Sequence, residues 1–182
     1  CSSDLSYGFP LSEDNRASVA LGFENTVIKT TVSTPQSFID YIEENTGDFD
    51  AIKLTAGWSH DTRNRAIFAD EGTSHSLSIE IALPGSGLEY YKVGYRGLGY
   101  IPLTDSLTML LRLNTGYGDS YSDTTALPFF ENYTAGGSSS VRGYRSNSLG
   151  PREDDEAIGG AYKLVANGEI IFPVPFAEES KS

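Results

Sequence analysis

Phe129 to Pro151 reads FFENYTAGGSSSVRGYRSNSLGP. The stretch sets Val141-Arg142-Gly143-Tyr144 inside a run of Gly, Ser and Asn, with strand-like sequence on either side. Few of its side chains are apolar, so burial within the loop cannot offset the entropy lost on ordering its backbone. A single structure for this loop therefore requires the rest of the molecule to enclose it.

The flanking sequence alternates with period two, the signature of half-buried strands. Ala17, Val19, Leu21 and Phe23 share one face, and Ile52, Leu54, Ala56 and Trp58 repeat the pattern. So do Leu77 to Leu83, Tyr91 to Tyr95, Leu107 to Leu113, and Tyr162 to Phe172, where Lys163, Asn167 and Glu169 take the other parity. That predicts six strands and a partial one near Leu5 to Phe9. The polar parity mixes Gly and Ser with single Lys, Arg and Glu residues. Such a face suits the wet lumen of a transmembrane barrel, but alternation alone also fits a soluble sandwich.

Bulk composition narrows the classes. The 182 residues suffice for one sizeable core. A net charge of −12, with 13 basic against 25 acidic residues, argues against nucleic acid, which needs clustered cations. The only cysteine is Cys1, so no disulfide forms within the chain. No apolar run of about 20 residues is present to make a membrane-crossing helix, which leaves barrel strands of about 9–11 residues open. Cys1-Ser2-Ser3-Asp4 reads either as a cut edge or as the start of a mature lipoprotein.

The connections favour the barrel. Phe9–Asn15, Asp61–Gly72 and Ile101–Ser106 are short turns at one end, while two of the alternate connections, Lys29–Asp48 and Ser120–Ile158, are long. Outer-membrane barrels have short periplasmic turns and long external loops. One helix is expected within the first long connection, with Thr34 as its cap, Pro35 in its first turn, and Phe38, Ile39, Tyr41 and Ile42 as its apolar stripe. It is expected to lie across the barrel mouth.

The loop resembles the signature loop of the barrel-assembly and two-partner-secretion superfamily of outer-membrane proteins. Further segments resemble that superfamily in the same order: Tyr7–Leu11, Asp61–Asn64, Pro84–Ser86, Tyr100–Leu103 and Gly116–Asp119. Tyr144 stands where many members carry Phe, and the acidic Glu153–Glu156 follows the loop closely. The resemblance implies an all-β fold: residues 1–182 as part of an antiparallel transmembrane barrel, with residues 120–158 folded into its lumen. It implies a barrel of about sixteen strands of which this chain holds middle ones, and periplasmic domains elsewhere. It also implies a bacterial outer-membrane location and a role in folding and inserting β-barrel proteins. Expected partners are nascent barrel proteins, accessory assembly lipoproteins, lipid and lipopolysaccharide. A translocase of the same superfamily, or a passive channel or surface antigen, is the alternative. A channel would conduct ions in planar bilayers without accelerating client folding.

Within that frame the candidate site is a lumenal lock. Val141, Arg142, Gly143 and Tyr144 form its motif, and the resemblance assigns Glu169 as the partner of Arg142, whose fork suits carboxylates. Gly136, Gly137, Asn147 and Gly150 are expected to shape the loop. No cofactor or metal is expected: Asp119, Asp123 and Glu153–Glu156 lack loop-type calcium spacing. Catalysis is not expected either. Gly118-Asp119-Ser120 and Ser138–Ser140 offer hydroxyls, but His60 and His75 are expected at the opposite, periplasmic end. Trp58, Tyr90, Tyr91, Tyr95 and Tyr117 are candidates for interfacial girdles.

Overall fold

The computed structural model describes residues 2–31, 34–44, 48–66, 69–85, 87–122, 124, 126–153 and 156–172. Cys1, Ser86, Asp123, Asp154 and Asp155, named above, lie outside them.

The alternating segments form strands β1 (Ser2–Pro10), β2 (Asn15–Val27), β3 (Asp48–Asp61), β4 (Gly72–Ala82), β5 (Tyr90–Thr104) and β6 (Leu107–Ser120). Helix α1 (Gln36–Glu44) lies between β2 and β3. The loop after β6 contains a 3-10 turn at Phe129–Glu131 and a two-residue hairpin, β7 (Arg152–Glu153) with β8 (Glu156–Ala157). Strand β9 (Tyr162–Ile171) then pairs with β6, giving one antiparallel sheet in the order β1-β2-β3-β4-β5-β6-β9. The strands, 9 to 15 residues long, reach the length a membrane crossing needs, about 9–11 residues. Over this span the sheet is open, with β1 and β9 at its edges.

Register turns the alternation into two faces. Leu21, Leu54, Ile81 and Tyr91 align on the outer one, and Glu80, Lys92 and Gly118 on the inner one. Among the described residues no second layer covers the outer face: Leu5 is 79% exposed and Leu164 59%. A soluble sandwich would bury such a face. The inner face instead receives the long loop, as in a barrel that folds a loop into its lumen.

The compact core sits where the long connections meet. Phe49, Ala82, Leu88, Tyr90 and Leu127 are buried together, with Ile28, Tyr41 and Phe130 against them. Helix α1 closes this region. Phe38 stacks on Phe129 at 4.0 Å, and Tyr41 meets Phe49 at 5.7 Å.

Two expectations need correction here. The first turn of α1 is anchored by the Pro35 carbonyl, which accepts from the Phe38 and Ile39 amides, so Pro35 takes the cap position. Thr34 Oγ1 instead accepts the Thr31 amide at 2.8 Å, closing the turn before the helix. Tyr90 is no girdle residue, because its parity faces inward and it is fully buried. Trp58 and Tyr117 do lie on the outer face, 38% and 44% exposed.

Candidate functional site

The loop descends along the inner face as a narrowing arm. Tyr133 and Gly160 exchange backbone hydrogen bonds, as do Ala135 and Leu149. Nearer the tip the Gly137 amide donates to the Tyr144 carbonyl at 3.1 Å. Gly136, Gly137, Gly143, Gly150 and Asn147 all have positive φ, at 114°, 92°, 89°, 136° and 55°. Gly136 is the tightest of them. A β-carbon there would collide with the Arg145 carbonyl, so the crossing of the two arm strands requires glycine.

At the base of the arm sits Glu131, at the end of the 3-10 turn. Lys53 Nζ of β3 donates to its Oε1 at 2.7 Å, and Lys92 Nζ of β5 to its Oε2 at 2.8 Å. The buried Tyr90 hydroxyl donates to Oε1 at 2.9 Å, with Glu80 3.2 Å away. Lys53 also lies 2.6 Å from Glu24 of β2. Burial pushes the Glu131 carboxyl up, but the two ammonium groups outweigh it and hold the carboxyl below its usual range. Side-chain exposures of 13% for Glu131, 15% for Lys53 and 21% for Lys92 make this a largely enclosed, charge-assisted network.

Tyr133, two residues on, rests on the same wall. Its ring lies 4.9 Å from Lys92 Nζ and 5.4 Å from Lys163 Nζ. Gly116 of β6 makes room for it: a β-carbon there would sit 2.6 Å from the ring. Asn132 Nδ2 donates to the Ile158 carbonyl at 3.0 Å, tying the two arm roots together.

At the tip, Arg142 Nη2 donates to Glu169 Oε2 of β9 at 3.2 Å. Arg112 Nη1 of β6 lies 3.7 Å from the other oxygen of the same carboxylate. This contact is more open, since the Arg142 side chain is 67% exposed and that of Glu169 25%. Val141 is half-buried and Tyr144 is 56% exposed. Glu169 stands two residues before the end of β9, so the arm runs nearly the height of the sheet.

In the acidic stretch after the arm, Glu153 is bound to α1. Glu153 accepts the Ser37 amide at 3.0 Å and also the Ser37 hydroxyl, which satisfies an orphan donor in the first turn of α1. Those bonds hold the Glu153 carboxyl below its usual range. Asp119 is taken by the Tyr117 hydroxyl at 2.9 Å. Among the described residues no cluster of His, Cys and acidic groups could hold a metal ion.

The histidines are separated from the arm serines by a different geometry than expected. His60 and His75 face outward with Trp58 and Leu77. The arm carries Ser139 and Ser140 down the inner face, to a cavity of about 220 Å³ shared with Leu98 and Tyr100. Opposite faces of the sheet keep the arm serines from the histidines, and Ser120, at the far end of β6, is kept away by the opposite ends expected.

Sequence reasoning missed Glu131. A signal was present: it ends the apolar Pro128-Phe129-Phe130 run ahead of the polar arm, and Lys53 and Lys92 are inward by parity.

An antiparallel wall with an aliphatic outer face and a loop seated on its inner face is a segment of a transmembrane β-barrel. Residues 2–182 match the Omp85 superfamily domain, and the chain belongs to that superfamily. It is similar to "Outer membrane protein assembly factor BamA" of Neisseria meningitidis, 32% identical over 186 residues, covering 95% of this chain and 23% of that protein. A SAM50-like protein of Schizosaccharomyces pombe is 25% identical over 140 residues, covering 74% of the chain and 29% of that protein. The crystal structure of BamA from Haemophilus ducreyi lacking POTRA domains 1–3 superposes with a TM-score of 0.86 at 28% identity. The match covers 98% of this chain and 38% of that one. The chain thus spans about a quarter of the length of these relatives, at 23% and 29%. It is part of a bacterial outer-membrane β-barrel.

Proposed function

We propose that this chain is the part of an outer-membrane assembly factor that seats the long loop in the barrel while the factor folds and inserts client β-barrels. The observation that carries the reading is the tip contact: Arg142, in the VRGY motif, meets Glu169 on β9 at 3.2 Å. Likeness to a BamA that is 32% identical supports it. The work is non-covalent. An unpaired strand edge is costly in lipid, and a factor that offers strand edges and a weakened bilayer lowers the barrier to client insertion. In this reading residues 120–158 form an extracellular loop folded into the lumen. Nascent barrel proteins are the clients, accessory lipoproteins engage periplasmic domains outside this span, and lipid and lipopolysaccharide surround the wall.

Charge reversal in the full-length protein tests it. Arg142→Glu sets two acids together and slows client assembly in cells that depend on the variant. Pairing it with Glu169→Arg restores assembly. Wild-type assembly rates in Arg142→Glu would overturn the reading.

A further inference from the structure

The outer face of β5 carries two glycines in succession, Gly97, which the Tyr95 ring overlies, and Gly99, which is bare. Glycine inside a strand weakens it and often marks close approach by another molecule. Register places Thr73, Gly99, Leu111 and Gly168 in one row across β4, β5, β6 and β9, and His75, Gly97, Leu113 and Ala166 in the next. The missing side chains leave a groove of about 500 Å³. That is within the range of roughly 300–1,000 Å³ typical of small-ligand sites. Its floor is β5, with β4 on one side and β6 and the edge strand β9 on the other.

The lining is largely apolar, with Leu111 and Leu113 on β6, and Thr73 and His75 stand at its β4 rim. Tyr95 closes one end: its hydroxyl is 2.7 Å from His75 Nδ1, and a β-carbon on Gly97 would lie 3.0 Å from that hydroxyl. The β4 rim continues as a row of stacked rings, Trp58, His60, His75 and Tyr95, with successive centroids 6.1, 6.3 and 6.1 Å apart. Rings with an apolar body and a polar edge gather at headgroup level. His60 stands one residue before the end of β3, at the short-turn end. The groove is continuous with the face that meets hydrocarbon, and an apolar groove beside a row of amphipathic rings matches an amphiphile.

We propose that this groove binds one phospholipid of the leaflet at the short-turn side. The headgroup meets Thr73 and His75, and one acyl chain lies over Gly99, beside the Tyr95 ring, against Leu111 and Leu113. The inference rests on the barrel and not on client assembly. A lipid held there fixes the bilayer against the wall that carries the loop.

The test uses full-length protein in nanodiscs of phosphatidylethanolamine carrying a photoreactive acyl chain. Crosslinks should concentrate at Leu111–Leu113 relative to Val19–Leu21, an exposed stretch of the same face on β2. Gly99→Leu fills the groove without strain, since a β-carbon there meets nothing within 4 Å and φ is not positive. It should lower labelling at Leu111–Leu113 about tenfold, as expected from excluding roughly two methylenes. His75→Phe keeps the ring and removes its N–H groups, and should lower labelling less. Equal labelling of the two stretches, or undiminished labelling in a folded Gly99→Leu barrel, overturns the site. Labelling of lipopolysaccharide or client polypeptide at this groove in place of phospholipid overturns the occupant.

Discussion

The arm is held at two places by the same kind of chemistry, with opposite exposure. At its base, Glu131 is enclosed by two lysines and a buried tyrosine, and its side chain is 13% exposed. At its tip, Arg142 meets one shared carboxylate and is 67% exposed. A charge pair shielded from water is costly to break, because the survivor is left stranded. An exposed pair adds little to stability, since water and salt compete for both partners. Over this span the base is the more enclosed seat and its pairs the costlier to break, and the glycines between the two seats give the arm its crossing geometry.

Removing the base carboxylate should have the largest effect. Glu131→Ala leaves Lys92 without its acid and Lys53 with Glu24 alone, and should cost about 3 kcal/mol. Thermal unfolding of the full-length barrel, read as heat-modifiable mobility, measures it. A loss no greater than that of Arg142→Ala would erase the distinction between the two seats.

Gly116→Val attacks the base by volume instead of charge. Its β-carbon falls 2.6 Å from the Tyr133 ring, which must leave its place between Lys92 and Lys163. Overpacking of this kind costs about 1–3 kcal/mol. Pairing it with Tyr133→Ala should recover part of the loss in the same assay, and no recovery would show that the ring is not what the valine meets.

Acid should discriminate between the seats as well. The Glu131 carboxyl is held below its unfolded value, so its contribution is complete above the ordinary glutamate range, near pH 4.3. It fades as pH falls through the lower folded value. Barrel stability attributable to Glu131 should be flat from about pH 7 to 5 and decline below about pH 4. The Glu131→Gln variant should lack that decline, and an identical acid limb in both proteins would exclude the carboxylate as its source.

At the tip, Arg142→Ala should change barrel stability by at most about 1 kcal/mol while slowing client assembly. Arg142→Lys should recover assembly only in part, because an ammonium lacks the bidentate fork. A large stability loss would mean that the tip is as fixed as the base. The smallest effect belongs to Glu153→Gln, which weakens the acceptor of the Ser37 amide and hydroxyl. Amide exchange in the first turn of α1 should accelerate with the rest of the arm unchanged. Protection equal to wild type would dissociate Glu153 from the helix.

The sequence by itself determined what is local. Alternation gave each strand two faces, so Leu54 and Lys53 were separable without coordinates. Positive φ at Gly136 and Asn147 follows from residue type at a crossing that other side chains resist. What only the tertiary structure decided is which inward residue meets which. Glu131 finds Lys53 and Lys92 at separations of 78 and 39 residues, and Glu153 finds Ser37 at 116. A period of two carries no information at such distances. Those contacts are set by the register between strands and by the depth to which the arm descends. Tyr90 shares the inward parity of Lys92 and was legible as no girdle ring, whereas its bond to Glu131 and the serine tip's level beside Tyr100 depend on the depth of the arm. Side-chain parity is written along the chain, but height in the barrel is a property of the assembled wall.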